Sequence, residues 1–216
     1  QKRNGISFIP KNCKIIDQAI KKNNVNTKIC RVQINSYEKI LKNIKNKYFS
    51  NVNNLENLIF AIEIAIKLKC SKKNILKAIN FFKPLPFRNQ IIYNSSKITI
   101  INDSKSTSFS SSINLLKSYK NIYWLIGGIA KKNDRFNLQS KFCKNIKAYI
   151  FGKDRVFFSK QLNNKIKFKR SKKLFNIIKK IIIDVKKDNS KSNIIFSPAA
   201  ASFDQFQNFE ERGRYF

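Results

Sequence analysis

The sequence predicts an α/β protein in which a mostly parallel β-sheet carries helices on both faces. From residue 91 to residue 196, short runs rich in β-branched and aromatic residues alternate with helical runs, and this alternation is typical of βαβ units. Glycine, hydroxyl or charged residues follow most of the β-rich runs. A segment with two prolines at residues 83–88 separates this region from an N-terminal part with a different pattern.

The N-terminal part is predicted to combine two short strands with helices. ISFI at residues 6–9 and KICRVQI at residues 28–34 have strand character, and the segment between them has the length of a short helix. Apolar residues recur at helical spacing over residues 54–69, and a second helix is expected over residues 73–82. We expect these last two helices to pack side by side.

The segment KPLPFR at residues 83–88 marks the predicted domain boundary. Its two prolines cannot continue the preceding helix, because proline lacks the backbone N–H and its ring clashes with the preceding turn. We therefore expect one domain over residues 1–84 and a second over residues 85–216.

The second domain is predicted to begin with a hairpin and to continue as alternating strands and helices. IIY at 91–93 and KITIIN at 97–102 form the hairpin around the turn at 94–96. The alternation that follows predicts a parallel sheet with helices on both faces. The strands are expected at 122–126, 148–151, 165–168 and 193–196, and the helices near 108–118, 137–147, 154–162 and 171–187.

The composition of the 216 residues excludes several kinds of protein. Without histidine there is no Ser-His-Asp triad and no histidine-ligated metal. The four cysteines show no CxxC spacing, which is typical of reduced cytosolic thiols and makes a metal site unexpected. The longest apolar stretch, residues 58–68, contains Glu63 and is too short to span a bilayer, so we expect no membrane insertion.

The net charge of +33, from 45 Lys and Arg against 12 Asp and Glu, raises the possibility of an acidic partner. However, lysine greatly exceeds arginine, together with an excess of asparagine and isoleucine, and this pattern follows A/T-rich codons. A chain selected to bind phosphates would favour the bidentate fork of arginine. We therefore interpret the excess of lysine as a result of genomic base bias, which leaves a solvated lysine surface. The alternative is that the chain is a basic nucleic-acid-binding module.

The residues after the predicted strands indicate an anion-binding crevice, because ligands of open α/β sheets bind beyond the carboxyl ends of the strands. Lys105 and Lys131 supply charge, and helix N-termini supply unpaired N–H groups. Gly127 and Gly128 remove side chains where a ligand would need space, and Asp103 can pair with a lysine or accept hydrogen bonds from a sugar. The strand-end segments are residues 103–107, 127–131, 152–153 and 197–202.

Each feature of this crevice also has a purely structural interpretation. Gly-Gly is often only a turn, Asp103-Ser104 is often a helix cap, and lysines near strand ends are expected by chance in this composition. The convergence of all of them at one sheet edge favours a binding site. No GxxxxGK[ST] loop occurs in the sequence, so these residues do not cradle a nucleotide triphosphate by that motif.

Four segments together resemble the Mur ligases, and within that family the branch that adds D-glutamate. They are LPFR at 85–88, INDSKST at 101–107, IYWLIGGIAKK at 122–132 and SPAAASFDQFQNFEERG at 197–213. The resemblance runs from about residue 53 to residue 216 and implies a Rossmann-like C-terminal domain over 85–216. Residues 1–84 would be the incomplete C-terminal part of a central α/β ATP-binding domain.

The resemblance implies an ATP site. In the family, the magnesium ligands, the phosphate loop and a modified lysine of this site precede the region that this sequence matches. Asn54 and Asn57 of NNLEN would lie at the adenine, where Asn53 replaces a family histidine. The remaining expected ATP-binding residues are Arg88 at the phosphates, Asp103 at the ribose and Lys105 beside the reacting centre, with Phe87 replacing another histidine.

The resemblance also implies a D-glutamate site made of Thr107, Lys131, Ser202 and Phe209, in which Lys131 offsets a carboxylate and Phe209 closes the pocket. Lys105 and Lys131 are the expected catalytic residues. The implied reaction forms an amide between UDP-MurNAc-L-alanine and D-glutamate through an ATP-derived acyl phosphate. We expect a cytoplasmic monomer, and the start at Gln1 without any methionine suggests an excerpt of a longer protein that is inactive alone.

Overall fold

The computed structural model describes residues 5–25, 27–33, 37–50 and 52–216. The chain forms two compact units that meet in sequence between Lys83 and Pro84. Each unit has its own buried core. Within the described ranges, no helix is long and apolar enough to cross a membrane.

The first unit begins with a βαβ arrangement. Strand β1 (Ile6–Pro10) and strand β2 (Lys28–Val32) pair in parallel, and helix α1 (Lys14–Lys22) connects them. A short helix α2 (Glu38–Leu41) and a 3₁₀ turn (Lys47–Ser50) follow. The predicted strands and the helix between them are confirmed, while Ile34, the last residue of the predicted second strand, lies outside the described residues.

Helices α3 (Val52–Lys67) and α4 (Lys72–Phe81) complete the first unit and confirm the two helices expected from apolar spacing. Leu58, Ile59 and Ile62 form the apolar side of α3, and they are buried in one cluster with Ile75 and Ile79 of α4. Ser71 caps α4, since its hydroxyl accepts a hydrogen bond from the backbone N–H of residue 74. The side-by-side packing therefore follows from one shared apolar core.

The second unit is a six-stranded sheet with helices on both faces, as predicted. The only antiparallel pair in this sheet is the predicted hairpin, and all other neighbours are parallel. The strands are β3 (Gln90–Asn94), β4 (Ile98–Asn102), β5 (Ile122–Gly127), β7 (Ile146–Phe151), β8 (Lys167–Arg170) and β9 (Ser192–Phe196). The order across the sheet is β3-β4-β9-β5-β7-β8. Two further short strands, β6 (Ile129–Ala130) and β10 (Ala200–Ala201), pair separately with each other.

The two sheet faces are covered by different helices because successive strand residues point to opposite sides. In β5, Trp124 and Ile126 join one core, whereas Tyr123 and Leu125 join the other. The first core includes residues of α5 (Phe109–Lys117), α6 (Ser140–Cys143) and α7 (Arg155–Leu162). The second includes residues of α8 (Leu174–Lys186), and a last helix, α9 (Phe209–Tyr215), ends the chain.

Several predicted elements differ in extent from the structure. Strand β7 begins two residues earlier than expected and α8 three residues later. The helix expected over 137–147 is reduced to α6, because Phe136 and Leu138 are buried in an extended segment and Ile146 already pairs with Ile122 in the sheet. The strand expected at 165–168 begins two residues later. Backbone N–H groups of residues 165 and 166 both donate to the carbonyl of Leu162, so these residues close the turn after α7.

Candidate functional site

The segments that follow β4, β5 and β9 meet at one edge of the sheet and are joined by backbone hydrogen bonds. The N–H of Asp103 donates to the Phe196 carbonyl at 2.7 Å, and the N–H of Gly127 donates to the Pro198 carbonyl at 2.9 Å. The N–H of Ala200 donates to the Ser106 carbonyl at 3.3 Å. The strand-end residues expected to form a crevice are thus held together as one loop cluster, residues 103–108, 127–131 and 197–202.

Gly127 and Gly128 are required by close backbone packing at this sheet edge. Their φ angles are 141° and 130°, a region that favours glycine. A Cβ on Gly127 would collide with the backbone carbonyl of Phe151, and one on Gly128 would collide with the carbonyl of Ala201. The space left by the missing side chains is therefore taken by neighbouring backbone, which favours the structural interpretation of this Gly-Gly pair over an opening for a ligand.

Asp103 is a buried carboxylate at the end of β4, with 7% of the residue exposed. Its Oδ2 accepts a hydrogen bond from the Ser197 hydroxyl at 2.7 Å, and its Oδ1 accepts one from the backbone N–H of Asn89 at 3.1 Å. Burial raises the pKa of Asp103 to about 6, although these two hydrogen bonds and the charge of Arg88 oppose the shift. Each oxygen keeps a second lone pair, so the carboxylate retains acceptor capacity.

A chain of buried hydroxyls lies behind Asp103. The Ser197 hydroxyl lies 2.7 Å from that of Ser112, which lies 2.7 Å from that of Ser106. The indole N–H of Trp124 donates to the Ser197 carbonyl at 2.8 Å. The sequence did not predict that Ser106, Ser112 and Ser197 form a network, because Ser197 is distant in sequence from the other two and their contacts are defined only by the fold.

Arg212, on α9, is a further residue that sequence reasoning missed. It is completely buried, and its guanidinium donates to the carbonyls of Ser104 and Ala200 at 2.7 and 3.0 Å and to the Ser104 hydroxyl at 3.1 Å. Its Nη1 has no hydrogen-bond partner among the described residues. Burial lowers the pKa of Arg212 to about 10, against the opposing charge of Asp204. The feature of the sequence that could have indicated Arg212 is its position as a charged residue inside the distinctive NFEERG run.

Lys105 and Phe209, which the family resemblance implies for the ATP and D-glutamate sites, are brought together. The Lys105 ammonium nitrogen lies 3.9 Å from the centroid of the Phe209 ring, a cation–π geometry. The Ser104 hydroxyl also donates to the backbone carbonyl of Phe209 at 2.8 Å, so a second contact connects the same two segments. The side chain of Lys105 is therefore directed toward α9.

Thr107, Lys131 and Ser202 all belong to the loop cluster. Thr107 follows Ser106, whose carbonyl accepts from Ala200, and Lys131 follows β6, which pairs with β10 just before Ser202. Thr107 and Lys131 are exposed, whereas Ser202 is buried. Among the described residues the ion pairs are Arg31–Asp17, Lys147–Asp188 and Lys169–Asp184, so neither Lys131 nor Lys105 is neutralised by a carboxylate there.

Arg88 lies exposed on the turn at residues 87–89, which is anchored to the loop cluster. The N–H of Lys105 donates to the Phe87 carbonyl at 3.1 Å, and the adjacent Asn89 bonds Asp103 as described. The Phe87 ring packs so closely on Gly213 that a Cβ there would collide with it. Phe87 thus has a packing role beside α9.

Asn54 and Asn57 lie in the first unit, where they line a cavity of about 320 Å³. Its walls include the rings of Tyr48, Phe49 and Phe82, which pack against each other at centroid distances of 5.1 to 5.5 Å. The Asn54 amide donates to the Tyr48 carbonyl at 2.9 Å, so its position is fixed. The side chain of Asn53 lies outside the described residues. An apolar aromatic cavity with two amides suits a flat heterocycle.

The described part of the chain contains no group of three or more cysteine, aspartate or glutamate side chains placed to hold a metal ion. Asp103, the buried carboxylate of the loop cluster, is instead surrounded by hydrogen-bond donors. The loop cluster also carries lysines and hydroxyls, which are groups that can bind an anion.

No family model matches the chain. It is 36% identical over 172 residues to a UDP-N-acetylmuramoylalanine–D-glutamate ligase of Rickettsia felis, covering 79% of this chain and 38% of the relative. It is 34% identical over 163 residues to the ligase of the same name from the Wolbachia of Brugia malayi, covering 76% and 33%. The chain thus spans between a third and two-fifths of the length of these curated relatives.

Solved structures share the fold at low sequence identity. A murein peptide ligase from Psychrobacter arcticus superposes with a TM-score of 0.62 and 13% identity, covering 92% of this chain and 49% of that one. A UDP-N-acetylmuramate–alanine ligase from Thermotoga maritima gives a TM-score of 0.52 and 15% identity, covering 77% and 37%. From the relatives' sequences together with this shared fold, the chain belongs to the Mur ligase family.

Proposed function

We propose that this chain is part of an ATP-dependent ligase that adds D-glutamate to UDP-N-acetylmuramoyl-L-alanine in peptidoglycan precursor synthesis. The observation that carries the proposal is the loop cluster at the sheet edge, where Lys105 and Lys131 lack a carboxylate partner among the described residues. D-Glutamate carries two carboxylates, and uncompensated lysines with nearby hydroxyls favour such a dianion. The names of the relatives at 34 to 36% identity support the same reaction.

In this proposal the two units have different tasks. Residues 1–84 are the C-terminal part of a central ATP-binding domain, and residues 85–216 are the Rossmann-like domain that binds D-glutamate. The cavity lined by Asn54 and Asn57 would take the adenine ring, which stacks on aromatic side chains and accepts amide hydrogen bonds. The ligase would work as a cytoplasmic monomer on small-molecule substrates.

In the second unit, Arg88 would contact nucleotide phosphates, Asp103 the ribose, and Lys105 the reacting centre. Arg88 is exposed and charged, as contact with phosphates requires. Asp103 has one free lone pair on each carboxylate oxygen, with which it would accept the ribose hydroxyls. Because its turn residues 87–89 bond the loop cluster, Arg88 is held near Asp103, in agreement with its effect on the Asp103 pKa.

The proposed reaction places charge where these residues can stabilise it. ATP transfers its γ-phosphoryl group to the substrate carboxylate, which gives an acyl phosphate and ADP. The D-glutamate amine then attacks the acyl carbon, and the tetrahedral intermediate loses an amine proton and expels phosphate to form the amide. Lys105 would stabilise the developing negative charge, and Lys131 would hold a D-glutamate carboxylate so that the amine faces the acyl carbon. Thr107 and Ser202 would orient the amino acid by hydrogen bonds, and Phe209 would close the pocket.

Mg²⁺ would accompany ATP, and the family resemblance implies that its ligands lie in the central domain together with the phosphate loop. When bound with ATP, the ion would neutralise phosphate charge.

Replacement of Lys131 tests the D-glutamate site. In the active ligase that carries this chain, Lys131→Ala should raise the KM for D-glutamate about 10- to 100-fold, since a charged hydrogen bond contributes about 1.5–3 kcal/mol, while the KM for ATP stays unchanged. The measurement is phosphate release against D-glutamate concentration. Lys132→Ala, which removes the adjacent exposed lysine, is the matched control. Unchanged D-glutamate kinetics in Lys131→Ala would remove this residue from the pocket.

The same assay separates the proposal from another Mur-type amide ligase. D-Glutamate should support turnover, whereas L-alanine, L-lysine and D-alanyl-D-alanine should not. A preference for a neutral or cationic acceptor would contradict the proposed function, because the uncompensated charges of Lys105 and Lys131 favour an anion.

A further inference from the structure

Lys105 lies over an aromatic ring instead of a carboxylate. Its ammonium nitrogen is 3.9 Å from the Phe209 centroid, well inside the range of about 6 Å for cation–π attraction. No carboxylate of the described residues lies within ion-pair distance of it. The ring stabilises the cation without neutralising it, whereas a carboxylate would cancel its charge.

Backbone contacts hold the two partners of this pair in place. The carbonyl of Phe209 accepts from the Ser104 hydroxyl at 2.8 Å, next to Lys105 in sequence. The buried Arg212, one turn further along α9, donates to the Ser104 carbonyl at 2.7 Å. The N–H of Lys105 itself is fixed by the Phe87 carbonyl at 3.1 Å. The ring and the lysine therefore belong to segments that cannot easily separate.

A second pair shows what an incidental contact looks like in this lysine-rich chain. Lys179 lies 4.4 Å from the Phe175 ring, four residues earlier on the same helix α8. Phe175 is 49% exposed, and the pair follows from helical spacing alone. By contrast, Lys105 and Phe209 are more than a hundred residues apart in sequence and meet at the loop cluster.

We propose that Phe209 is a positioning residue for Lys105: its aromatic face holds the ammonium at the carboxyl end of the sheet and leaves the charge available to the reacting groups. This inference rests on the proposed function, because it concerns the same site. It adds to the expected pocket-closing role of Phe209 a second role that acts through the lysine.

The position of the ammonium is tested by NMR on the whole chain with ¹³C-labelled lysine. The Lys105 Hε protons, identified by their loss in Lys105→Arg, should resonate upfield because the adjacent ammonium nitrogen lies over the ring. Phe209→Leu should abolish this upfield shift, Phe209→Tyr should keep it, and Phe175→Leu should leave it unchanged. Circular dichroism checks that each variant is folded. A Lys105 signal at the position of exposed lysines, or one unaffected by a folded Phe209→Leu variant, would overturn the proposal.

A double-mutant cycle in the active ligase tests whether Phe209 acts through Lys105. Phe209→Leu should lower kcat about 2- to 30-fold, which is the range expected for the loss of one cation–π contact. Phe209→Tyr, which keeps an aromatic ring, should have a kcat close to that of the unaltered ligase. The double variant with Lys105→Met should be no slower than Lys105→Met alone. Effects that multiply, or a change confined to the KM for D-glutamate, would show that Phe209 only closes the pocket. If the ligase shows no dependence on D-glutamate, the proposed function fails while the NMR result still decides the positioning role.

Discussion

Arg212 shows how a single buried charge organises the candidate site. Its guanidinium bonds Ser104 and Ala200, so it joins the segment after β4, the strand β10 and the helix α9. A buried arginine is costly unless its donors are bonded, and here two backbone carbonyls satisfy part of that need. The residue thereby fixes the segments that carry Lys105, Ser202 and Phe209.

Arg212→Met should therefore lower the stability of the chain. The carbonyls of Ser104 and Ala200 would lose their donor, and each buried polar group left unsatisfied costs about 1–3 kcal/mol. Urea unfolding should show a loss of about 2 kcal/mol or more. Arg214→Met, an exposed arginine of the same helix, is the control and should change little. Equal stability of the two variants would show that Arg212 does not hold these segments together.

Asp103 makes the stability of the chain depend on pH. Its pKa of about 6 in the folded chain lies above the ordinary value of 3.8, so the folded state binds more protons between these values. Stability should fall as the pH rises from about 4 to 6, by up to about 3 kcal/mol. Asp103→Asn should remove this part of the pH dependence in urea unfolding at several pH values. Parallel curves for the two proteins would contradict the buried, titrating carboxylate.

At the scale of elements, helix α8 is attached to the sheet by polar contacts as well as by its apolar core. The Tyr149 hydroxyl donates to Asp184 at 2.5 Å, and the Tyr123 hydroxyl donates to Asp188, just beyond the helix, at 2.6 Å. The two tyrosine rings are stacked with centroids 6.0 Å apart. Hydrogen bonding by the Tyr123 hydroxyl holds the pKa of Asp188 well below its usual range.

The Tyr123–Asp188 contact should stabilise the attachment of α8 above pH 4 and weaken in acid. Because the pKa of Asp188 is lowered on folding, its contribution is present above the ordinary value of 3.8 and is lost as the pH falls below it. Tyr123→Phe and Asp188→Asn should each cost about 1–3 kcal/mol at pH 7. The double variant should cost less than the sum of the two in urea unfolding. Strict additivity would mean that the two side chains stabilise the chain independently.

At the scale of the whole molecule, the charge of +33 is spread over both units rather than concentrated on the loop cluster. The stability of the second unit comes from two apolar cores on either side of its sheet. Only Lys105, Lys131 and Arg88 have a proposed task in binding anions. The other lysines whose side chains the structure describes are exposed, and among them Lys147 and Lys169 form ion pairs with Asp188 and Asp184.

The chain should accordingly bind RNA only at low salt. Fluorescence anisotropy with a labelled single-stranded RNA should show binding that falls steeply with salt and disappears near the physiological ionic strength of about 0.15 M. Lys105→Ala with Lys131→Ala should not alter this weak binding beyond the loss of two charges. Tight, sequence-dependent binding at physiological salt would instead support a nucleic-acid-binding module.

Local sequence patterns were sufficient to predict the fold class and the sheet edge at which the polar segments meet. Alternating β-rich and helical runs are local patterns, and the polar residues after the strands are read directly from the chain, so the carboxyl edge of the sheet was predictable. The element most in error, the helix expected over 137–147, failed because burial of Phe136 and Leu138 in the core overrode local helical preference.

The tertiary structure alone decided how the site residues interact. Asp103 meets Ser197 at a separation of 94 residues, and Ser104 meets Arg212 at a separation of 108. The raised pKa of Asp103, the buried guanidinium and the ring over Lys105 all arise from such distant neighbours. Desolvation and hydrogen bonding depend on which groups surround a side chain in space, and local sequence patterns do not carry that information.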